Sequence, residues 1–385
     1  MARFLFVSWN GVGNQPPAVG IAQALKKRGH AVMFAGYENQ RNYFTGRGFH
    51  FVLLERSAAA WRDEPPERML AVKLRAAWAS SEHLEDVPQL ISRERCDVLL
   101  VDCLMFGALA AAEKAQIPSF ALVHSAPGAL MPPKGKLEAL LYEAVNELRT
   151  EAGLPAIANL WDAWACFPAL CNSMRELDPL ASQAPKSLLY LGPISEETPP
   201  SGWKSPWRPE DTRPLVVVSF STGPYWDQTS RVQRTLEGLA RHHCRVLVTA
   251  GCVDIAPTAV PANATIVSHV PHDEILPGAA VTVTHAGHGT VTASLRHGIP
   301  LLCLPNRAAD QPILATQVKA LGAGLTLDGD DATPAQILAA TKQLLTDRSY
   351  TAKARLLAGT IAAAPGISGA VEQLEPRANR AGVSV

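Results

Sequence analysis

The 385-residue sequence predicts an α/β protein of two doubly wound parallel-sheet domains facing each other across a cleft. Three observations predict it. Short apolar runs alternate with helical periodicities in the first third of the chain, and again from Leu215. A proline-dense stretch from Gly192 to Pro214 separates the two series, and neither a helix nor a central strand runs through such a density of proline. The length suits two domains of ordinary size.

Phe4–Val7 is a continuous apolar run, as a strand buried on both faces requires. It ends in the loop Trp9-Asn10-Gly11-Val12-Gly13-Asn14. Pro16 and Pro17 then open a helix, where the missing N–H costs nothing. Ala18, Ile21, Ala22 and Leu25 give that helix an apolar face, and Gly29 ends it after the cationic turn Lys26-Lys27-Arg28. Ala31–Ala35, Phe51–Leu54, Val98–Val101 and Phe120–Val123 read as the next strands, with a helix from Gly107 to Gln116. Residues 134–170 read as helical and then aromatic. The second series holds strands at Leu215–Val218, Val246–Val248, Ala264–Val267, Val281–Val283 and Leu301–Leu304. Helices are expected over 227–242, 334–346, 349–363 and 367–375. The expected division is an N-terminal Rossmann-like domain over 1–195, a linker over 196–213, a second Rossmann-like domain over 214–364, and a helix and tail over 365–385 returning toward the first domain.

The chain is 47% hydrophobic and 18% charged, with 35 basic and 35 acidic residues. A formal net charge of zero argues against a nucleic-acid partner, which needs a basic surplus. The apolar run at the N-terminus is too short for a secretory leader. No run approaches the roughly 20 residues of a membrane helix. The seven cysteines form no CxxC pair and read as small buried hydrophobes of a reducing cytoplasm, the expected location.

Residues 281–324 are the most specific segment. After a strand ending at Thr284, His285-Ala286-Gly287-His288-Gly289-Thr290 opens a helix. A glycine-bounded turn there exposes backbone N–H groups and the positive end of the helix dipole, which suit a diphosphate. His285 and Thr290 add side-chain donors. The same hexapeptide also serves as a plain strand-to-helix turn. One strand later, Asp310-Gln311 offers acceptors and donors for sugar hydroxyls, or an N-cap.

These residues resemble the donor-binding signature of glycosyltransferase family 1, the GT-B-fold enzymes that include bacterial antibiotic glycosyltransferases. The resemblance extends to Asp97–Pro118, Asn146–Pro155, Val216–Gly223 and His269–His272. It implies an inverting, metal-independent transfer of a sugar from a UDP- or dTDP-sugar to a small lipophilic or aromatic acceptor, with no cofactor beyond that co-substrate. It places the diphosphate on His285, Gly287, His288, Gly289 and Thr290, edged by Ser221 and Thr222. His269 and Val270 would lie at the nucleobase, and Asp310 and Gln311 at the sugar. The acceptor would sit in the N-terminal domain, near Asn10 and Val12. Trp61, Trp78, Trp161 and Trp164 would form a wall there, or serve as core packing. A monomer or homodimer with small-molecule partners is expected.

One position departs from the family. Three residues before Pro17 the family carries a catalytic His, and here stands Asn14, whose amide cannot accept a proton. Asp102 matches the carboxylate that orients that His. Either Asp102 or His124 supplies the base, or the acceptor is itself acidic or nucleophilic with Asn14 positioning it, or catalysis is weak. Other classes are a nucleotide-sugar isomerase or hydrolase and a non-catalytic nucleotide or ligand binder. A dinucleotide dehydrogenase fits poorly, because Pro16 stands where the third fingerprint glycine belongs.

Overall fold

The computed structural model describes residues 1–381 except 63, 65–67, 116, 221–227, 252–254, 257, 308 and 309. The chain forms two compact units. The first comprises Met1–Arg175, Leu180–Glu197 and the C-terminal segment from Pro365; the second comprises Glu176–Pro179 and Thr198–Ala364.

The first unit holds β1 (Arg3–Val7), β2 (Ala31–Gly36), β3 (His50–Leu53), β4 (Val98–Asp102), β5 (Ser119–Val123), β6 (Ala169–Cys171) and β7 (Leu188–Tyr190). They form one sheet in the order β3-β2-β1-β4-β5-β6-β7, parallel throughout. Side chains of β1 alternate between two cores. Leu5 and Val7 enter one face, while Phe4 and Phe6 enter the other. The helix Gly366–Ala381 seals that second face with Ala370, Val371, Leu374 and Ala378. Full burial of a residue such as Leu374 contributes about 1.5–3 kcal/mol. Glu375 on the same helix meets Arg28 at 2.6 Å and His30 at 2.9 Å. The stretch Arg348–Ala378 is long and apolar enough to cross a membrane. Gly366, at φ +58°, interrupts it, and its apolar residues beyond that break are core residues of the first unit.

The second unit holds β8 (Leu215–Ser219), β9 (Arg245–Thr249), β10 (Ala264–Val267), β11 (Ala279–Thr284), β12 (Leu301–Cys303) and β13 (Gly324–Thr326). Their order is β10-β9-β8-β11-β12-β13, again parallel throughout. Part of the proline-rich stretch is anchored here. Trp203 and Trp207 pack against a core that includes Val217, Leu247 and Val270, and Ser201 bonds Glu274 at 2.7 Å.

Both sheets reverse their strand order once, at β1/β4 in the first and at β8/β11 in the second. Helices must leave such neighbouring strands in opposite directions, so a crevice opens beyond their carboxyl ends.

Candidate functional site

At the first reversal, the pairing of Val7 with Val101 brings the loop after β1 beside Asp102, the last residue of β4. Asp102 is 3% exposed and Asn14 2%. Four hydrogen bonds converge on the Asp102 carboxylate. Oδ1 accepts from Trp9 Nε1 and from the Leu104 amide, both at 3.0 Å. Oδ2 accepts from Asn14 Nδ2 and from His124 Nδ1, also at 3.0 Å. Asn14 Nδ2 also donates to the Trp9 carbonyl at 3.0 Å, and its Oδ1 accepts from the Gly11 amide at 3.1 Å. Asn14 thus ties the loop to β4. A Cβ on Gly11 would overlap the Trp9 ring, so glycine is required there.

Burial alone would raise the Asp102 pKa. The His124 charge and hydrogen bond, with the Leu104 and Asn14 bonds, outweigh it and hold the carboxyl below its ordinary value. Burial opposes charge on His124 too, but Asp102 and then Cys103 lift it well above the ordinary histidine value. The two form an ion pair. The Cys103 thiol lies 3.6 Å from His124 Nδ1 and is pushed up by burial, so it stays a thiol and not a nucleophile. Asp102, Cys103 and His124 present donor atoms within 4.8 Å of one another. Both Asp102 oxygens are already occupied, so the trio is a hydrogen-bonded cluster rather than an open ligand set.

The tryptophans divide by position. Trp164 is completely buried and gives its N–H to the Cys103 carbonyl at 2.8 Å, so this expected wall residue is core packing. Trp161 stacks on Trp164 with ring centroids 6.2 Å apart, and its N–H bonds the Met131 carbonyl at 2.7 Å. Trp61 is half-buried against Tyr37 at 5.0 Å. Trp78 stands edge-on to Trp9 at 5.3 Å. Asn10 is half-buried and Val12 exposed; Val12 adopts φ +62°, an outlier for a β-branched residue.

At the second reversal, β11 leads into His285 and a helix that begins at His288 and ends at Arg296. Gly287 precedes that helix as its N-cap, and a Cβ there would overlap the His285 ring. Ala286 takes the left-handed conformation at φ +65°. Gly289 and Thr290 lie in the first turn, where amides have no intrahelical acceptor. Among the described residues, His285 Nδ1 is buried with no hydrogen-bond partner. Burial, then the charge of Arg231, push the His285 pKa down to about 4, against a hydrogen bond to the Ser219 backbone. His272 is likewise pushed to about 4, chiefly by burial, and its Nε2 lies 3.1 Å from Ser219 Oγ. His269 is exposed, and Val270 is buried in the core cluster described above.

Asp310 occupies the N-cap position of the helix Gln311–Ala320. Gln311 Oε1 accepts from the Asn306 amide at 3.0 Å. Arg231, unflagged by sequence reading, joins three loops here: it bonds Gln228, Asn306 and the Gly329 carbonyl. Ser221 and Thr222 lie outside the described residues.

Residues 233–376 match the family described as "Erythromycin biosynthesis protein CIII-like, C-terminal domain". Over 97% of its length the chain is 23% identical to the uncharacterized UDP-glucosyltransferase YojK of Bacillus subtilis (strain 168), covering 97% of that protein. Among solved structures, the glycotransferase of kitacinnamycin superposes with a TM-score of 0.80 at 24% identity, covering 97% of this chain and 99% of that one. The glycosyltransferase VinC, solved in complex with DTDP, superposes with a TM-score of 0.72 at 19% identity, covering 98% and 100%. The chain is thus a GT-B-fold homologue of nucleotide-sugar-dependent glycosyltransferases, with an EryCIII-like C-terminal domain.

Proposed function

We propose that the chain is an inverting, metal-independent glycosyltransferase, acting in the cytoplasm as a monomer or homodimer. It takes a sugar from a UDP- or dTDP-sugar and gives it to a small lipophilic or aromatic natural-product acceptor. The observation that carries this reading is the second-unit turn: a helix N-terminus, a glycine that leaves room for a histidine ring, and a buried His285 nitrogen with no hydrogen-bond partner among the described residues. A diphosphate is the anion such a turn accommodates.

The donor diphosphate would lie on the Gly289 and Thr290 amides. Its charge would raise the depressed His285 pKa, so the ring takes up a proton and donates to a phosphate oxygen. Asp310 and Gln311 would hold the sugar, with Gln311 oriented by Asn306 and, through it, by Arg231. The acceptor oxygen would attack the anomeric carbon in line as the bond to the diphosphate breaks, inverting the centre. Helix dipole and His285 would stabilise the charge growing on the leaving group; one such donor is worth about 2.7–4 kcal/mol. On the acceptor side, Asp102 and His124 supply the charged pair and Asn14 positions the loop.

The test is a panel of UDP- and dTDP-sugars with phenolic and alcoholic acceptors, read by mass spectrometry beside donor-only controls. A glycosylated acceptor supports the reading. Free sugar or an epimerised donor without acceptor would favour the hydrolase or isomerase class. Donor binding with no product under any condition would leave a ligand-binding protein. Turnover is expected to survive EDTA.

A further inference from the structure

The loop that carries Asp310 leaves β12 at Leu304, and a second loop leaves β13 at Leu327. The two run in backbone contact. A Cβ on Gly329 would overlap the carbonyl oxygens of Leu304 and Pro305, so only glycine lets the loops come this close.

Two arginines then tie the loops together. Arg231, on the helix Thr229–Leu239, is 5% exposed. Toward the second loop it donates to the Gly329 carbonyl at 2.9 Å and to Asp330 Oδ1 at 2.5 Å. Toward the first it donates to Asn306 Oδ1. Arg307, on the first loop, meets Asp331 at 2.6 Å, Asp328 at 3.1 Å and Asp330 Oδ2 at 3.4 Å. Asp330 is therefore shared, one oxygen to each cation. Arg234 adds a bond to the Gly329 carbonyl at 2.7 Å. The latch reaches the sugar side through Asn306, whose backbone N–H donates to Gln311 Oε1 at 3.0 Å. Arg307 is exposed, and water and salt weaken its pairs. The buried Arg231 fork is what fixes geometry, because its N–H groups are rigidly disposed and reach both loops at once.

Resting on the glycosyltransferase reading, we propose that Asp328–Asp331 is a specificity loop: through the positioning residue Arg231 it fixes the loop of Asp310 and Gln311, and so decides which sugar the donor site accepts, without touching the sugar. Hexoses differ by the direction of single hydroxyls. A site that hydrogen-bonds a hydroxyl rejects the epimer only while its own donors and acceptors are held in place. The diphosphate turn at Gly287 is built on β11 and its helix, and Arg231 makes no hydrogen bond to it among the described residues. Loosening the latch should therefore blur sugar choice and spare the nucleotide. Arg231 also acts on His285 by charge, so the test must separate charge from geometry.

Calorimetry on the full chain compares UDP-glucose with UDP-galactose, epimers at one hydroxyl, with UDP alone as the sugar-free reference and the dTDP series in parallel. The wild type should prefer one epimer. Arg231→Met and Gly329→Ala should each shrink that preference about tenfold, the size of one misplaced hydrogen bond, with UDP affinity changed less than about twofold. Arg231→Lys keeps the charge but not the fork, and should behave as Arg231→Met does. Should Arg231→Met fail to fold, Asn306→Ala carries the same expectation, since it removes an acceptor of Arg231 and keeps the backbone bond to Gln311. A merely structural loss would lower the binding stoichiometry and leave the epimer preference as it was. That result, a wild type indifferent to the epimers, an equal loss of UDP affinity, or full rescue by Arg231→Lys would overturn the inference while the donor reading stands. A wild type that binds neither nucleotide nor any of the nucleotide-sugars would instead remove the donor reading, and the inference with it.

Discussion

The two strand-order reversals share a topology but use charge in opposite ways. At β1/β4 the chain buries an ion pair, Asp102 with His124, and fills the carboxylate with hydrogen bonds. At β8/β11 it keeps its histidines neutral, His285 and His272 both pushed to about 4. Each loop also holds one non-glycine residue in left-handed conformation, Val12 in the first and Ala286 in the second. The difference lies in where each crevice keeps its charge. A fixed ion pair builds a rigid wall whose charges are spent on each other. Neutral donors at a helix end leave room for charge that arrives with a ligand.

Removing one partner of the ion pair should have the largest effect. Asp102→Ala strands His124 and three other donors, and breaking a buried pair costs about 3–5 kcal/mol. Thermal melts across pH check the sign. Asp102 has a lowered pKa, so its contribution is present above about 3.8 and fades as pH falls through the folded value. His124 has a raised pKa, so its contribution is present below about 6.5 and fades as pH rises through its folded value. The pair is therefore at full strength between those limits, and the variant's pH profile should be flatter outside them, where the wild type loses the pair. An unchanged profile would mean the pair carries no net charge coupling.

The second crevice should respond in rate rather than in stability. His285→Ala is expected to lower kcat about 10²–10³-fold with the melting temperature nearly unchanged. Comparable activity to wild type would remove the diphosphate assignment. Gly287→Ala comes next: the new methyl must displace the His285 ring, at about 1–3 kcal/mol, and donor affinity measured by calorimetry should drop with it. The smallest effects belong to the strained residues. Val12→Gly and Ala286→Gly each relieve a left-handed backbone, and differential scanning should find each variant about as stable as wild type or up to ~1 kcal/mol more so. A clear loss in either would show that the side chain itself packs.

Much of this was legible along the chain. Ten strands read from apolar runs lie within β1–β5 and β8–β12 or overlap them, because a doubly buried parallel strand needs a continuous apolar stretch. The helix Pro334–Thr346 matches the expected 334–346. β6, β7 and β13 went unread: each is three residues long, as β12 is, but none stands in an apolar run as long as Leu301–Leu304. Trp9 and Arg231 also carried no local signal. Trp9 matters only because its N–H meets a carboxylate 93 positions away, and Arg231 only because three loops meet around it.

The sequence by itself determined the two βα series, the glycine-bounded turn at Gly287 and the absence of a histidine at position 14, since each is written in adjacent residues. Only the tertiary structure decided that Asp102 binds four donors, that Trp164 is core, and that Trp78 stands edge-on to Trp9. The physical reason is range. Propensity and periodicity act over a turn or a strand, whereas hydrogen-bond satisfaction and burial depend on which distant segments the parallel pairing of β1 with β4 brings into contact.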